Sequence, residues 1–153
     1  DLVSLLQPFG CDFLINDIID VSAYASIHNL SCVSKEEIYK NADIITIHTP
    51  LSDKTSNLIN SEVFSMMKST AFLINTARGG IVNEVDLKFA LENNIISGAA
   101  LDVYESEDVL NKDLLILPNL ICTPHTGGNS YEAVVAMGLS AIEHLIRYRN
   151  NTE

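Results

Sequence analysis

Five short apolar runs punctuate the sequence: Phe13-Leu14-Ile15, Ile44-Ile45-Thr46-Ile47, Ala71-Phe72-Leu73-Ile74, residues 98–103 (GAALDV) and Leu120-Ile121-Cys122. Each is strand-length, and helix signals lie between most of them. A strand that is apolar without alternation belongs in a parallel sheet covered on both faces, so the run at 71–74 is expected to be buried on both. Helices between such strands enforce right-handed crossovers, which gives a doubly wound α/β fold with helices on both faces. No repeat, linker or low-complexity segment divides the 153 residues, so one domain is expected.

The helix signals are local. Ser34 and Glu37 form a capping box ahead of a short helix to about residue 41. Ser61 is expected to cap another through about residue 67, and Asn83 a third with Leu87, Ala90 and Leu91 on one face. Ser130 opens a long helix with the stripe Val135, Leu139, Ile142 and Ile146, and Arg147 and Arg149 complement its negative end. Residues 1–10 read as the tail of an amphipathic helix closed by Pro8 and Gly10, while residues 24–32 fit no single pattern.

A net charge of −11 sets the surface field against phosphate backbones, so nucleic acid is not an expected partner. No apolar run is long enough for a bilayer and no secretory signal is visible, so no membrane partner and a cytoplasmic location are expected. Cys11, Cys32 and Cys122 lack CxxC spacing and read as buried thiols in a reducing compartment; no metal site is expected.

The segment AFLINTARGG, residues 71–80, puts Arg78 just past the carboxyl end of a strand. Gly79-Gly80 then lets the backbone turn and approach a ligand closely. Ligands of open parallel sheets bind outside those carboxyl ends. Asp102, Glu107 and His125 lie at or just beyond other strand ends, which sets all four residues on one edge. Each alone has an ordinary reading: a surface arginine, a turn aspartate, a solvated glutamate, a loop histidine. Their joint placement is what points to a site.

Arg78 keeps its proton and presents a planar fork that grips a carboxylate or polarises a carbonyl. His125 can exchange a proton near neutral pH, and a Glu107 carboxylate on one ring nitrogen would favour the imidazolium. The trio suits reduction of a 2-keto acid and other carbonyl chemistry alike. Asp17 closes the first strand, where a dinucleotide fold keeps its ribose-binding acid and a 2′-phosphate is repelled, favouring NAD over NADP. An ordinary turn aspartate would look the same, and Asp20 is a nearby alternative.

Four long segments occur in one order: ADIITIHTPLSDKTSNLIN (42–60), INTARGGIVNE (74–84), ISGAALDVYESE (96–107) and PNLICTPHTGGNSYEA (118–133). In these the chain resembles the nucleotide-binding domain of the D-isomer-specific 2-hydroxyacid dehydrogenases, most of all the D-3-phosphoglycerate dehydrogenases. The resemblance implies a Rossmann-like domain, NAD as cofactor, and hydride transfer between nicotinamide and a small 2-hydroxy or 2-keto acid. It implies that Arg78 binds and polarises the substrate, with Glu107 and His125 as the acid/base pair. Asp17 would hold the adenosine ribose, and Thr49, Thr76, Ala77 and Asp102 would line the nicotinamide side. The loop His125, Thr126, Gly127 and Gly128 would close over it. A homodimer of the full-length protein is implied too. His48 matches no catalytic position, and His28 and His144 read as structural or surface residues.

Two departures stand out. Asp108 occupies the place where the family usually has proline, and the family's G-x-G-x-x-G is absent from these residues. Residues 1–153 are therefore expected to be a partial nucleotide-binding domain, its sheet incomplete at the N-terminal edge and its substrate domain absent. Such a piece should bind NAD poorly, since pyrophosphate needs that Gly-rich turn at a helix N-terminus. The alternatives to a dehydrogenase are an NAD-sensing, corepressor-like interaction protein of the same fold, or an inactive truncated product.

Overall fold

A computed structural model describes residues 2–106 and 111–150. Helix α1 (Leu2–Leu6) runs into a 3-10 turn (Gln7–Phe9) that Gly10 ends in the left-handed region. Then come β1 (Leu14–Ile15), α2 (Ser22–His28), β2 (Ser31–Cys32), α3 (Lys35–Asn41) and β3 (Ile44–Ile47). The chain continues through α4 (Ser61–Met66), β4 (Phe72–Asn75), α5 (Glu84–Glu92), β5 (Gly98–Leu101), α6 (Lys112–Leu115), β6 (Leu120–Cys122) and α7 (Tyr131–Asn150). The undecided stretch at 24–32 is the end of α2, a left-handed Asn29 and β2.

Every strand pairing is parallel, as the uninterrupted apolar runs require. The pairing forms two sheets, one of β1 and β2 and one in the order β3-β4-β5-β6. Register aligns Ile45, Leu73 and Ala99 in one row and Ile47, Asn75 and Leu101 in the next, all buried. Tyr39 of α3, Val63 and Phe64 of α4, and Leu87, Ala90 and Leu91 of α5 belong with them to one core. Leu73, Ile81, Leu87, Ile96 and Leu114 are wholly inaccessible. Each contributes about 1.5–3 kcal/mol of transfer free energy.

The other face of the four-stranded sheet differs from the expectation. Ile44 and Phe72 stand side by side in register and are 60% and 47% exposed, and Ile121 is 70% exposed. The run at 71–74 is thus buried on one face only. Its alternation comes from helix coverage, which α3, α4 and α5 provide on one side, and not from alternating chemistry along the strand. The stripe of α7 is exposed as well; no residue of that helix is fully buried.

Local corrections follow from side-chain geometry. Asn60, not Ser61, caps α4: its Oδ1 accepts from the N–H groups of Glu62 and Val63, while the Ser61 N–H donates to Asp86 Oδ2. Ser34 and Asn83 cap as expected, accepting from the N–H groups of Glu37 and Asp86. Cys11 and Cys32 are exposed and Cys122 is half-buried against the core, so the three free thiols are not the buried thiols expected. Among the described residues, no helix is long and apolar enough to cross a membrane.

Candidate active site

Parallel pairing puts the carboxyl ends of β3, β4, β5 and β6 on one edge. Those ends deliver His48-Thr49-Pro50, Thr76-Ala77-Arg78, Asp102 and Thr123-Pro124-His125 respectively. Between the first two lies a cleft of about 360 Å³ lined by His48, Thr49, Pro50, Thr76, Ala77 and Arg78.

Asn75 shapes the Arg78 side of this cleft. It is the last residue of β4 and buried; its Oδ1 accepts the Ala77 N–H (3.1 Å) and its Nδ2 donates to the Arg78 carbonyl (2.9 Å). The turn is thereby tied back onto the strand, and the exposed Arg78 side chain leaves from its outer side, with Nη1 donating to the Ala77 carbonyl (2.6 Å). Across the cleft His48 Nε2 lies 3.0 Å from Thr46 Oγ1. Asn75 is not among the candidates read from the sequence, where a polar residue ending an apolar strand is its only hint, and His48, which matches no catalytic position, lines the cleft all the same.

Thr49 Oγ1 is the one buried side-chain polar atom without a hydrogen-bond partner among the described residues. A buried hydroxyl left unpaired is costly, so a group entering the cleft that can pair with it is stabilised. An amide such as nicotinamide carries is one such group, and to that extent the cleft fits the dinucleotide.

Gly79 is required for an internal reason. A Cβ there would lie 1.7 Å from the Tyr104 carbonyl oxygen, so this glycine admits the chain's own backbone, where a ligand's approach was expected. Gly79→Ala should cost about 3 kcal/mol, because backbone atoms must move to relieve the overlap. Urea unfolding would show this as a lower midpoint at unchanged slope. Next to this contact, the buried Glu84 accepts the Glu105 N–H through Oε1, and burial raises its pKa against that bond.

At the far end of the rim, Asp102 is 5% exposed. Its Oδ1 accepts from the Thr123 hydroxyl and the Thr126 N–H (2.8 Å), and its Oδ2 from the Gly127 N–H (2.8 Å). The Thr123 bond first, then the two amides, hold its pKa down to about 2 despite burial. Unfolding returns the group to its ordinary 3.8, so between these values the unfolded chain binds more protons. The stabilisation is complete above about pH 4 and lost as pH falls toward 2. The stability gap between wild type and Asp102→Asn should accordingly narrow over that window, measured by denaturant titration at each pH.

His125 has φ 52, a left-handed backbone that a non-glycine residue adopts at a cost. Asn129 Nδ2 donates to its carbonyl (3.3 Å). Nothing lies near the position of a Cβ on Gly128. Asp17 follows β1 in the separate two-stranded sheet; it is exposed, and its Oδ1 accepts the Ile19 N–H (3.3 Å). Glu107 and Asp108 lie outside the described residues. The structure thus groups Thr49, Thr76, Ala77 and Arg78 around one cleft, and Asp102, Thr126 and Gly127 in one hydrogen-bonded cluster around His125.

Residues 1–127 match the family model described as D-isomer specific 2-hydroxyacid dehydrogenase, NAD binding domain. The D-3-phosphoglycerate dehydrogenase of Bacillus subtilis is 42% identical over 113 residues, which is 74% of this chain and 22% of that protein. The D-lactate dehydrogenase of Aquifex aeolicus, solved with NAD and lactic acid, superposes with a TM-score of 0.87 at 25% identity, over 98% of this chain and 50% of that one. A glyoxylate reductase from Paecilomyes thermophila gives a TM-score of 0.84 at 27% identity, over 90% of this chain and 42% of that one. The chain therefore spans half or less of the length of these relatives. It belongs to the D-isomer specific 2-hydroxyacid dehydrogenases, carries their NAD-binding domain and takes NAD as its cofactor.

Proposed function

We propose that the protein interconverts a small 2-keto acid and its D-2-hydroxy acid. The observation that carries this is the exposed Arg78 fork on a cleft with the unpaired Thr49 hydroxyl, on the same sheet edge as His125. NAD, when bound, supplies the acceptor or donor of the hydride. Arg78 binds the substrate carboxylate and draws charge onto the carbonyl oxygen. His125 gives that oxygen its proton in reduction and removes it in oxidation, and Glu107 serves as its carboxylate partner. Thr49, Thr76 and Ala77 line the nicotinamide side and Asp17 holds the adenosine ribose.

Similarity to the Bacillus D-3-phosphoglycerate dehydrogenase favours 3-phosphohydroxypyruvate as the keto acid; a cytoplasmic homodimer as the working form is part of the same proposal. The test is steady-state oxidation of NADH by the full-length protein with 3-phosphohydroxypyruvate, hydroxypyruvate and glyoxylate. The phosphorylated acid should give the highest kcat/KM. A higher value with another acid replaces the substrate, and no oxidation with any of them removes the dehydrogenase reading in favour of an NAD-sensing role.

A further inference from the structure

The geometry points to Tyr104 as a positioning residue that ties the turn bearing Arg78 to the loop bearing His125, with Glu84 holding the peptide that follows it. This rests on the proposed roles of Arg78 and His125 in the reaction.

Those two side chains must act on one substrate, yet they leave from the ends of β4 and β6, which β5 separates. Their spacing is therefore set by what lies past the end of β5. Tyr104 lies there, and it meets both neighbours.

On the β6 side, the Tyr104 hydroxyl donates to the Thr123 carbonyl (2.9 Å) and stands 3.3 Å from the Leu101 carbonyl. A hydroxyl has one proton to give, and the nearer carbonyl is the better acceptor. Burial raises the tyrosine pKa, so that proton stays in place. The Thr123 N–H donates in turn to the Leu101 carbonyl (3.0 Å). Residues 101 and 104 thus hold both backbone polar groups of Thr123, two positions before His125.

On the β4 side, the Tyr104 carbonyl packs against Gly79, the residue after Arg78. A Cβ at position 79 would fall 1.7 Å from that oxygen and 2.9 Å from the Glu105 nitrogen. The N–H of the same peptide is taken by Glu84 Oε1, from the first turn of α5. Tyr104 and Glu84 are each 9% exposed, so losing either partner leaves a buried polar group unpaired. One residue thereby fixes two strand-end loops against each other. Displacing a reacting group by about 1 Å can cost about a hundredfold in rate.

The test uses the full-length protein carrying Tyr104→Phe, with Glu84→Leu and Glu84→Gln beside it. Phenylalanine keeps the ring and gives up the hydroxyl alone. We expect kcat for keto-acid reduction to fall about three- to thirtyfold while KM for NADH stays within about twofold. Deuterium exchange at the Thr123 amide should accelerate. Glu84→Leu should lower kcat to a similar extent and speed exchange at the Glu105 amide. Glu84→Gln, which keeps an acceptor oxygen, should restore most of both. Tyr104→Phe combined with Glu84→Leu should cost less than the product of the separate losses, since both loosen one joint. Unchanged kcat in Tyr104→Phe, whatever happens to the unfolding midpoint, would make Tyr104 a packing residue and overturn the proposal. Losses that simply multiply in the double variant would overturn it as well. Should Tyr104→Phe not fold, the Glu84 pair decides by kcat and by exchange at 105 and 123. A wild-type protein that reduces no 2-keto acid sinks the dehydrogenase reading, while the exchange measurements still decide whether the joint exists.

Discussion

Replacing Arg78 with lysine is expected to lower kcat/KM for the keto acid by about a thousandfold, at the upper end of what loss of one charge-stabilising donor does. The charge survives the change but the fork does not. Lysine is a point charge on a flexible stem and cannot meet a carboxylate with two parallel N–H bonds. The turn should be indifferent to the substitution, because Asn75 holds it through the backbone of residues 77 and 78. Arg78 is exposed and its Nη1 donates to the neighbouring Ala77 carbonyl, so the thermal midpoint should barely move. Activity lost together with stability would place Arg78 in the structure of the turn. Activity retained would take it out of substrate binding.

Replacing His125 with asparagine should reduce the rate of keto-acid reduction by about a hundred- to ten-thousandfold, the range for losing a positioned general acid. Asparagine is the informative choice because it tolerates the left-handed region, so the φ of 52 survives and only the imidazole is removed. Whatever pH dependence the imidazole imposes on kcat should disappear with it. Keto-acid binding, followed as KM, should change far less than kcat, since in the proposed mechanism Arg78 makes the carboxylate contact. Equal losses in both would mean that the side chain binds substrate and transfers no proton.

Much of the fold is written in local chemistry. Ile44-Ile45-Thr46-Ile47 declares a strand through β-branching, and Ser34 and Asn83 announce the helices that they cap. The α4 cap was misread by one position because Asn60 and Ser61 are both capping types; backbone direction, which sequence does not carry, chooses between them. Likewise the strand ends gave the edge on which Arg78 and His125 stand. What they could not give was the state of Asp102. Its partners are 21 to 25 residues away and are brought in only by the register of β5 with β6. The burial of the run at 71–74 failed for a related reason: an apolar side chain shows its preference, but the neighbour that covers it belongs to other segments. Phe72 lies over Gly98 and remains 47% exposed.

Parallel pairing has a kinetic consequence. Ile44 meets Phe72, Phe72 meets Gly98, and Ala99 meets Leu120, so each neighbour is joined only after a long intervening segment has closed. Such closures are slow, since chain entropy is lost before any contact rewards it. The rim from Thr49 to His125 cannot exist before the last of them, and the appearance of the cleft should therefore mark the end of folding.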